Sequence, residues 1–138
     1  MSAVVIDASA GTEILAGTRR GQAHARLVPT EVEGWVPEHF YAEVLAVLRR
    51  QSLVRGLITE AQATAAVSSL GGWSLHWASL ASLVDAAWVY RHHMTAPDAF
   101  YVALPERLDA DFLTDDHNLV DAATFPRRVN VLRLGARP

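Results

Sequence analysis

The chain has 138 residues, 51% of them apolar and 20% charged, with a net charge of −3, which suits one domain with a real core and excludes a disordered tail. It has no cysteine and no lysine, since all 12 basic residues are arginine; disulfide staples, zinc ribbons, thiol nucleophiles, lysine-bearing phosphate loops and Schiff-base chemistry are therefore excluded. No apolar run approaches the roughly 18 residues of a membrane span, and the first residues lack the pattern of a secretory leader, so a cytoplasmic location is expected.

Val4-Val5-Ile6 reads as a buried first strand ending in Asp7. A short helix is predicted over Gly11 to Ala16, and a second over Gln22 to Val28, stopped by Pro29. Trp35-Val36 is the second strand. From Glu38 to about Arg55, Phe40, Val44, Leu45, Val47, Leu48 and Leu53 recur at helical spacing, and Gly56 is a natural stop. Thr59 and Gln62 form a capping-box pattern for a helix ending near Gly71-Gly72. Ser74 to Trp77 reads as a third strand and Leu80 to His92 as a helix. Another helix starts with Pro97 in its first turn and runs towards Leu108. Phe112 to Thr114 and Val129 to Leu134 are the last two strands. Short apolar runs alternating with helices indicate one α/β domain over residues 1–138, built on a mainly parallel sheet of four to five strands.

In such sheets, sites form beyond the carboxyl ends of the strands. Asp7 directly follows the first strand, and Asp116 lies two residues after the fourth. Asp98 opens the helix that leads back into that fourth strand. Glu43 lies on the helix leaving the second, about five residues in, or roughly 8 Å along at 1.5 Å per residue. All four belong to one edge. Crowded carboxylates repel, and some would take up protons unless a cation neutralises them; Mg²⁺, which prefers hard oxygen ligands, suits them. Each acid also has a plain structural role. Asp98 follows Thr95 at capping-box spacing, Asp7 can end a strand, and Asp116 can cap a following helix. Glu43 is harder to dismiss, because Phe40 and Val47 flank it on the buried stripe.

The motifs VVIDASA, VPEHFYAEVLAVLRR and RHHMTAPDAFYVALPERLDADFLTDDHNL together resemble the VapC toxins, the PIN-domain ribonucleases of bacterial toxin–antitoxin pairs. The resemblance runs nearly end to end and implies a PIN domain, a three-layer α/β/α fold. It implies that Asp7, Glu43, Asp98 and Asp116 are the metal-binding and catalytic acids, supported by Ser9 and Thr114. Asp115 fills the variable middle of a Thr-x-Asp motif, with at most a contact to the metal through water. The implied chemistry is Mg²⁺-dependent hydrolysis of RNA, with Mn²⁺ able to substitute, leaving a 5′-phosphate and a 3′-hydroxyl. Structured RNA such as tRNA or rRNA is the implied substrate. The implied partners are a VapB-type antitoxin and a second copy of the chain, with no membrane.

Pro105 departs from the family pattern. In mid-helix it removes a hydrogen bond and presses on the Tyr101 carbonyl, at a cost of ~3 kcal/mol unless the helix bends, so a kink is predicted between Tyr101 and Pro105. It is the sole sequence support for a binding module that has lost catalysis. A phospho-acceptor receiver domain is disfavoured by the missing lysine. Arg19, Arg20, Arg49, Arg50, Arg55 and Arg91 are candidates for phosphate contacts, against the simpler reading of solvated helix faces. His24, His39, His76, His92, His93 and His117 show no metal-ligand spacing. Trp35, Trp73, Trp77 and Trp88 are expected in the core or in a dimer contact.

Overall fold

The computed structural model describes residues 2–135. Residues 1 and 136–138 of the expected domain lie outside them. Five strands, β1 (Ala3–Ile6), β2 (Glu33–Pro37), β3 (His76–Ala78), β4 (Asp111–Leu113) and β5 (Val131–Leu132), form one sheet in the order β3-β2-β1-β4-β5. Every pairing is parallel: Val5 lies opposite Trp35 on one side and Phe112 on the other. The centre of the sheet needs strands that are apolar on both faces. Val4, Val5, Ile6, Phe112 and Leu113 supply them, each no more than 3% exposed.

Among the described residues, seven α-helices complete the α/β/α fold: α1 (Ala8–Ala16), α2 (Arg19–Leu27), α3 (Phe40–Arg49), α4 (Glu60–Gly72), α5 (Val84–Trp88), α6 (Ala96–Leu108) and α7 (His117–Asp121). α1 packs on α2, α3 and α4, while α5 packs on α6. α6 also lies against β1 and β2. Its buried residues are nearly continuous from Ala99 to Pro105, as expected of a helix enclosed on several sides rather than laid on a surface. The helix continues through Pro105 to Leu108, and the Pro105 carbonyl accepts from the Ala110 amide at 2.9 Å. Among the described residues, no helix is long and apolar enough to cross a membrane.

Several boundaries differ from the sequence expectation, each for a local reason. α1 begins three residues early, because the Asp7 side chain accepts from the Ala10 amide and caps it. α3 gives way at Arg50 to a wider π-helical turn, Arg50–Val54, before Gly56 closes the segment at φ 61°. The expected helix over Leu80 to His92 forms in part, starting as a 3₁₀ turn and giving way to turns after Trp88. Ser82 bonds back to Ser79 through both its amide and its hydroxyl, and Arg107 takes the Ser82 carbonyl at 2.6 Å. The chain there forms a 3₁₀ turn, Ala81–Leu83, before the short α5. After α5 it leaves the helix through tighter bonds such as Tyr90 N to Ala87 O. The capping box of Thr59 and Gln62 forms as expected. Trp77 and Trp88 are 56% and 67% exposed, so neither is a core residue.

Gly21 sets the spacing of α1 and α2. A Cβ there would lie 1.9 Å from the Glu13 carbonyl oxygen, so the backbones meet with no room for a side chain. Gly21→Ala must push α2 off α1, and overpacking of this kind costs about 1–3 kcal/mol or more. A urea melt should show the lower midpoint; an unchanged midpoint would mean that α2 is free to shift.

Candidate active site

The strand order reverses around β1: β2 and β3 lie on one side, β4 and β5 on the other. Crevices open at such switch points, beyond the carboxyl ends of the strands. Asp7 follows β1 and Thr114 follows β4, so the two meet across the reversal.

Asp7 is 5% exposed. Its Oδ1 accepts from the Ser9 hydroxyl at 2.6 Å and the Ala10 amide at 3.0 Å, and its Oδ2 accepts from the Thr114 hydroxyl. Burial pushes its pKa up to about 6; the Asp116 charge adds to the rise, and the three hydrogen bonds oppose it. Thr114 is fully buried, and its hydroxyl also accepts from the Asp116 amide at 2.9 Å. The Ser9 hydroxyl accepts from the Asp115 amide at 3.0 Å. Two hydroxyls thus link the first acid to the loop that carries the last.

Asp98 stands in the first turn of α6. Burial raises its pKa; the charges of Asp116 and Glu43 raise it further, while Thr95 and His39 favour the ionised form. Thr95 makes no side-chain cap bond to the helix, so the capping-box reading of Thr95 and Asp98 is not realised. Asp116 does cap a helix: its Oδ1 accepts from the Leu119 amide at 3.1 Å. Glu43 projects from α3, and its Oε1 is buried without a hydrogen-bond partner. Asp98 and Asp116 line one open cavity of about 370 Å³ with Thr95, Asn118 and Thr124.

The charges are thus linked in a chain, Asp116 acting on Asp7 and on Asp98, and Glu43 acting on Asp98. Among the described residues, no three His, Asp or Glu side chains form a ready-made metal cage. The donor set is nevertheless right for a hard divalent cation: all oxygen, mutually repelling, with one buried carboxylate oxygen unpartnered.

Asp115 does something else. Arg20 Nε lies 3.0 and 2.9 Å from its two carboxylate oxygens and Nη2 lies 2.5 Å from Oδ1. His24 Nε2 lies 3.5 Å from the same Oδ1. Asp115 is thus held by an ion pair with α2, in which Arg20, one of the candidate phosphate contacts, is engaged. Arg91 lies over the exposed Trp88 ring, 5.1 Å from its centroid.

Two residues gain a role that the sequence reading did not give them, His39 having been weighed there only as a metal ligand. His39 Nε2 lies 3.0 Å from the Pro97 carbonyl and 3.6 Å from Glu43 Oε1, bridging the helices of two acids; its spacing of four before Glu43 was the available signal. The Tyr101 hydroxyl is buried near Glu43 and Asp7, and burial with those charges holds its pKa far above the ordinary value. It completes no well-formed hydrogen bond there, so its influence is through proximity. It lies three residues after Asp98, on the same helix face.

The PIN-domain family profile matches residues 4–124. The chain is 38% identical to ribonuclease VapC3 of Mycobacterium tuberculosis over 121 residues, 86% of each protein. It is 33% identical to ribonuclease VapC1 of the same organism over 134 residues, covering 96% of this chain and all of that one. The crystal structure of M. tuberculosis VapC20, a toxin that cleaves the sarcin–ricin loop, superposes with a TM-score of 0.66 at 18% identity, over 90% of this chain and 97% of that one.

The raised pKa of Asp7 has a consequence for stability. An unfolded Asp7 ionises near 3.8 and the folded one near 6, so folding retains a proton that unfolding releases. That contribution is complete below 3.8 and is lost as pH rises through 6. In metal-free protein, Asp7→Asn should therefore be more stable than the parent near neutral pH, by up to about 3 kcal/mol, with the gap closing towards about pH 3.5. Urea melts across this range check it; parallel stability curves for the two proteins would contradict it.

Proposed function

Because the chain belongs to the PIN-domain family, as a ribonuclease of the VapC type, we propose that Asp7, Glu43, Asp98 and Asp116 hold Mg²⁺, or Mn²⁺ in its place, and hydrolyse RNA to 5′-phosphate and 3′-hydroxyl ends. The observation that carries this reading is the buried Asp7 carboxylate, joined through Ser9 and Thr114 to the Asp115-Asp116 loop. Burying an acid beside further acids is costly, and a cation repays it.

Asp7 and Asp98 are the direct ligands, with Glu43 and Asp116 completing the shell. When bound, the ion supplies an acidified water and neutralises charge growing on the phosphate. Ser9, Thr114 and the Ala10 amide fix the Asp7 carboxylate before any ligand arrives. Glu43, with one buried oxygen free of hydrogen bonds, would orient the water and accept its proton. Tyr101 stays protonated between Glu43 and Asp7, so towards those carboxylates it acts as a donor and not as a base. α6 continues unbroken through Pro105, so the departure from the family pattern gives no reason to expect Asp98 displaced. The same family reading extends to a VapB-type antitoxin that restrains the toxin, a homodimer, a structured RNA substrate and a cytoplasmic location.

Asp7→Asn or Asp98→Asn should lower RNA cleavage by at least about 100-fold, the equivalent of a lost metal interaction worth several kcal/mol, while the circular-dichroism spectrum is kept. Excess EDTA should abolish cleavage, and added Mg²⁺ or Mn²⁺ restore it. Full activity in either variant, or in EDTA, overturns the mechanism.

A further inference from the structure

Resting on that nuclease reading, we propose that Arg20 is a positioning residue for Asp116: by locking Asp115 to α2, it fixes the loop from which the last acid projects.

The loop Thr114-Asp115-Asp116 is held from two sides. On one, its backbone is tied to the first acid, with Asp115 N bonded to Ser9 Oγ and Asp116 N to Thr114 Oγ1. On the other, the Asp115 side chain, 4% exposed, is gripped by the Arg20 fork. The side chains of neighbours 115 and 116 take opposite partners: Asp115 goes to α2, and Asp116 caps α7 and charges the surroundings of Asp98. One planar peptide joins the two residues, so an anchor on the Asp115 side chain limits how far the backbone that carries Asp116 can shift. Arg20 Nη2 also donates to the Gly135 carbonyl at 2.7 Å, so one guanidinium joins α2, the acid loop and the segment after β5. A rigid planar fork suits this bridging; a lysine would supply charge without the geometry.

The sequence around Arg20 is arranged for the contact. Thr18 caps α2 through the Gly21 amide at 2.9 Å and donates to a Glu13 carboxylate oxygen at 2.5 Å. Gly21 lets α2 sit on the Glu13 backbone, which brings the first turn of α2 towards the sheet edge. His24, four residues after Arg20, is 0% exposed and shares the face that meets Asp115. Such outer contacts tune metal sites because they restrict how far a ligand can stray, and losing one typically costs 10–100-fold in affinity or activity.

The test uses Arg20→Ala, Asp115→Ala, the double variant and Arg20→Lys in the full chain, with Mn²⁺ affinity by titration calorimetry and steady-state RNA cleavage. The expected result is Mn²⁺ binding weakened about 10-fold or more in each alanine variant. The double variant should be no worse than either single, because both remove the same link. kcat should fall with KM for RNA unchanged, and Arg20→Lys should recover only part of the loss. Hydrogen exchange of the Leu119 amide in metal-free protein should speed up in the same variants. Unchanged Mn²⁺ affinity and kcat with a lowered melting temperature would overturn the proposal, leaving Arg20 a stabilising residue only. A raised KM at constant kcat would also overturn it, in favour of direct RNA contact. If Arg20→Ala does not fold, full Mn²⁺ affinity and kcat in Arg20→Lys would overturn it equally. A parent chain that neither binds Mn²⁺ nor cleaves RNA would instead overturn the nuclease reading, and the proposal with it.

Discussion

The carboxylate of Asp7 is the point on which this molecule turns. It caps α1, accepts from Ser9, and accepts from Thr114 across the junction of β1 and β4. Those bonds tie the first strand to a residue 107 positions later. They also oppose, without cancelling, the penalty of burying a charge: the pKa still rises to about 6. A buried acid whose pKa is raised costs stability at neutral pH, so its retention points to chemistry rather than to folding.

The other acids follow the same economy of position. Asp116 caps α7, and Asp98 opens α6. Helix N-termini present unpaired amides and a partial positive charge, which makes them tolerable places for anions. The fold therefore gathers negative charge at one edge of the sheet by using acids as helix starts. The structural and functional readings of these residues are not rivals: a side chain that fixes where a helix begins is itself held where a ligand must stand. Glu43 too stands in the first turn of its helix, on a partly apolar face, with one oxygen buried and without a hydrogen bond.

Arginine is the counterweight. With no lysine in the chain, each positive contact uses a planar fork. Arg20 grips Asp115, Arg107 takes the Ser82 carbonyl, and Arg133 lies 2.7 Å from Asp121. These contacts fasten loops to helices around the sheet, where backbone hydrogen bonding alone leaves connections free.

The sequence by itself determined the elements and the edge. Strict local signals, such as the β-branched run before Asp7, the Thr59 capping box and the alternation of strand and helix, depend on neighbours a few residues apart, so one dimension suffices to read them. The carboxyl-end rule then placed four acids on one side of the sheet without coordinates. Tertiary structure alone decided which neighbours those acids keep. Asp115 and Asp116 are adjacent in sequence and nearly identical in chemistry, yet one pairs with Arg20, 95 residues away, and the other faces Asp98. The carbonyl of Ser82, in the turn before α5, is likewise taken by Arg107, 25 residues further on. Pairings across such distances depend on how helices seat on the sheet, here on a gap at Gly21 too narrow for one methyl group, and packing of that kind leaves no periodic trace in the chain.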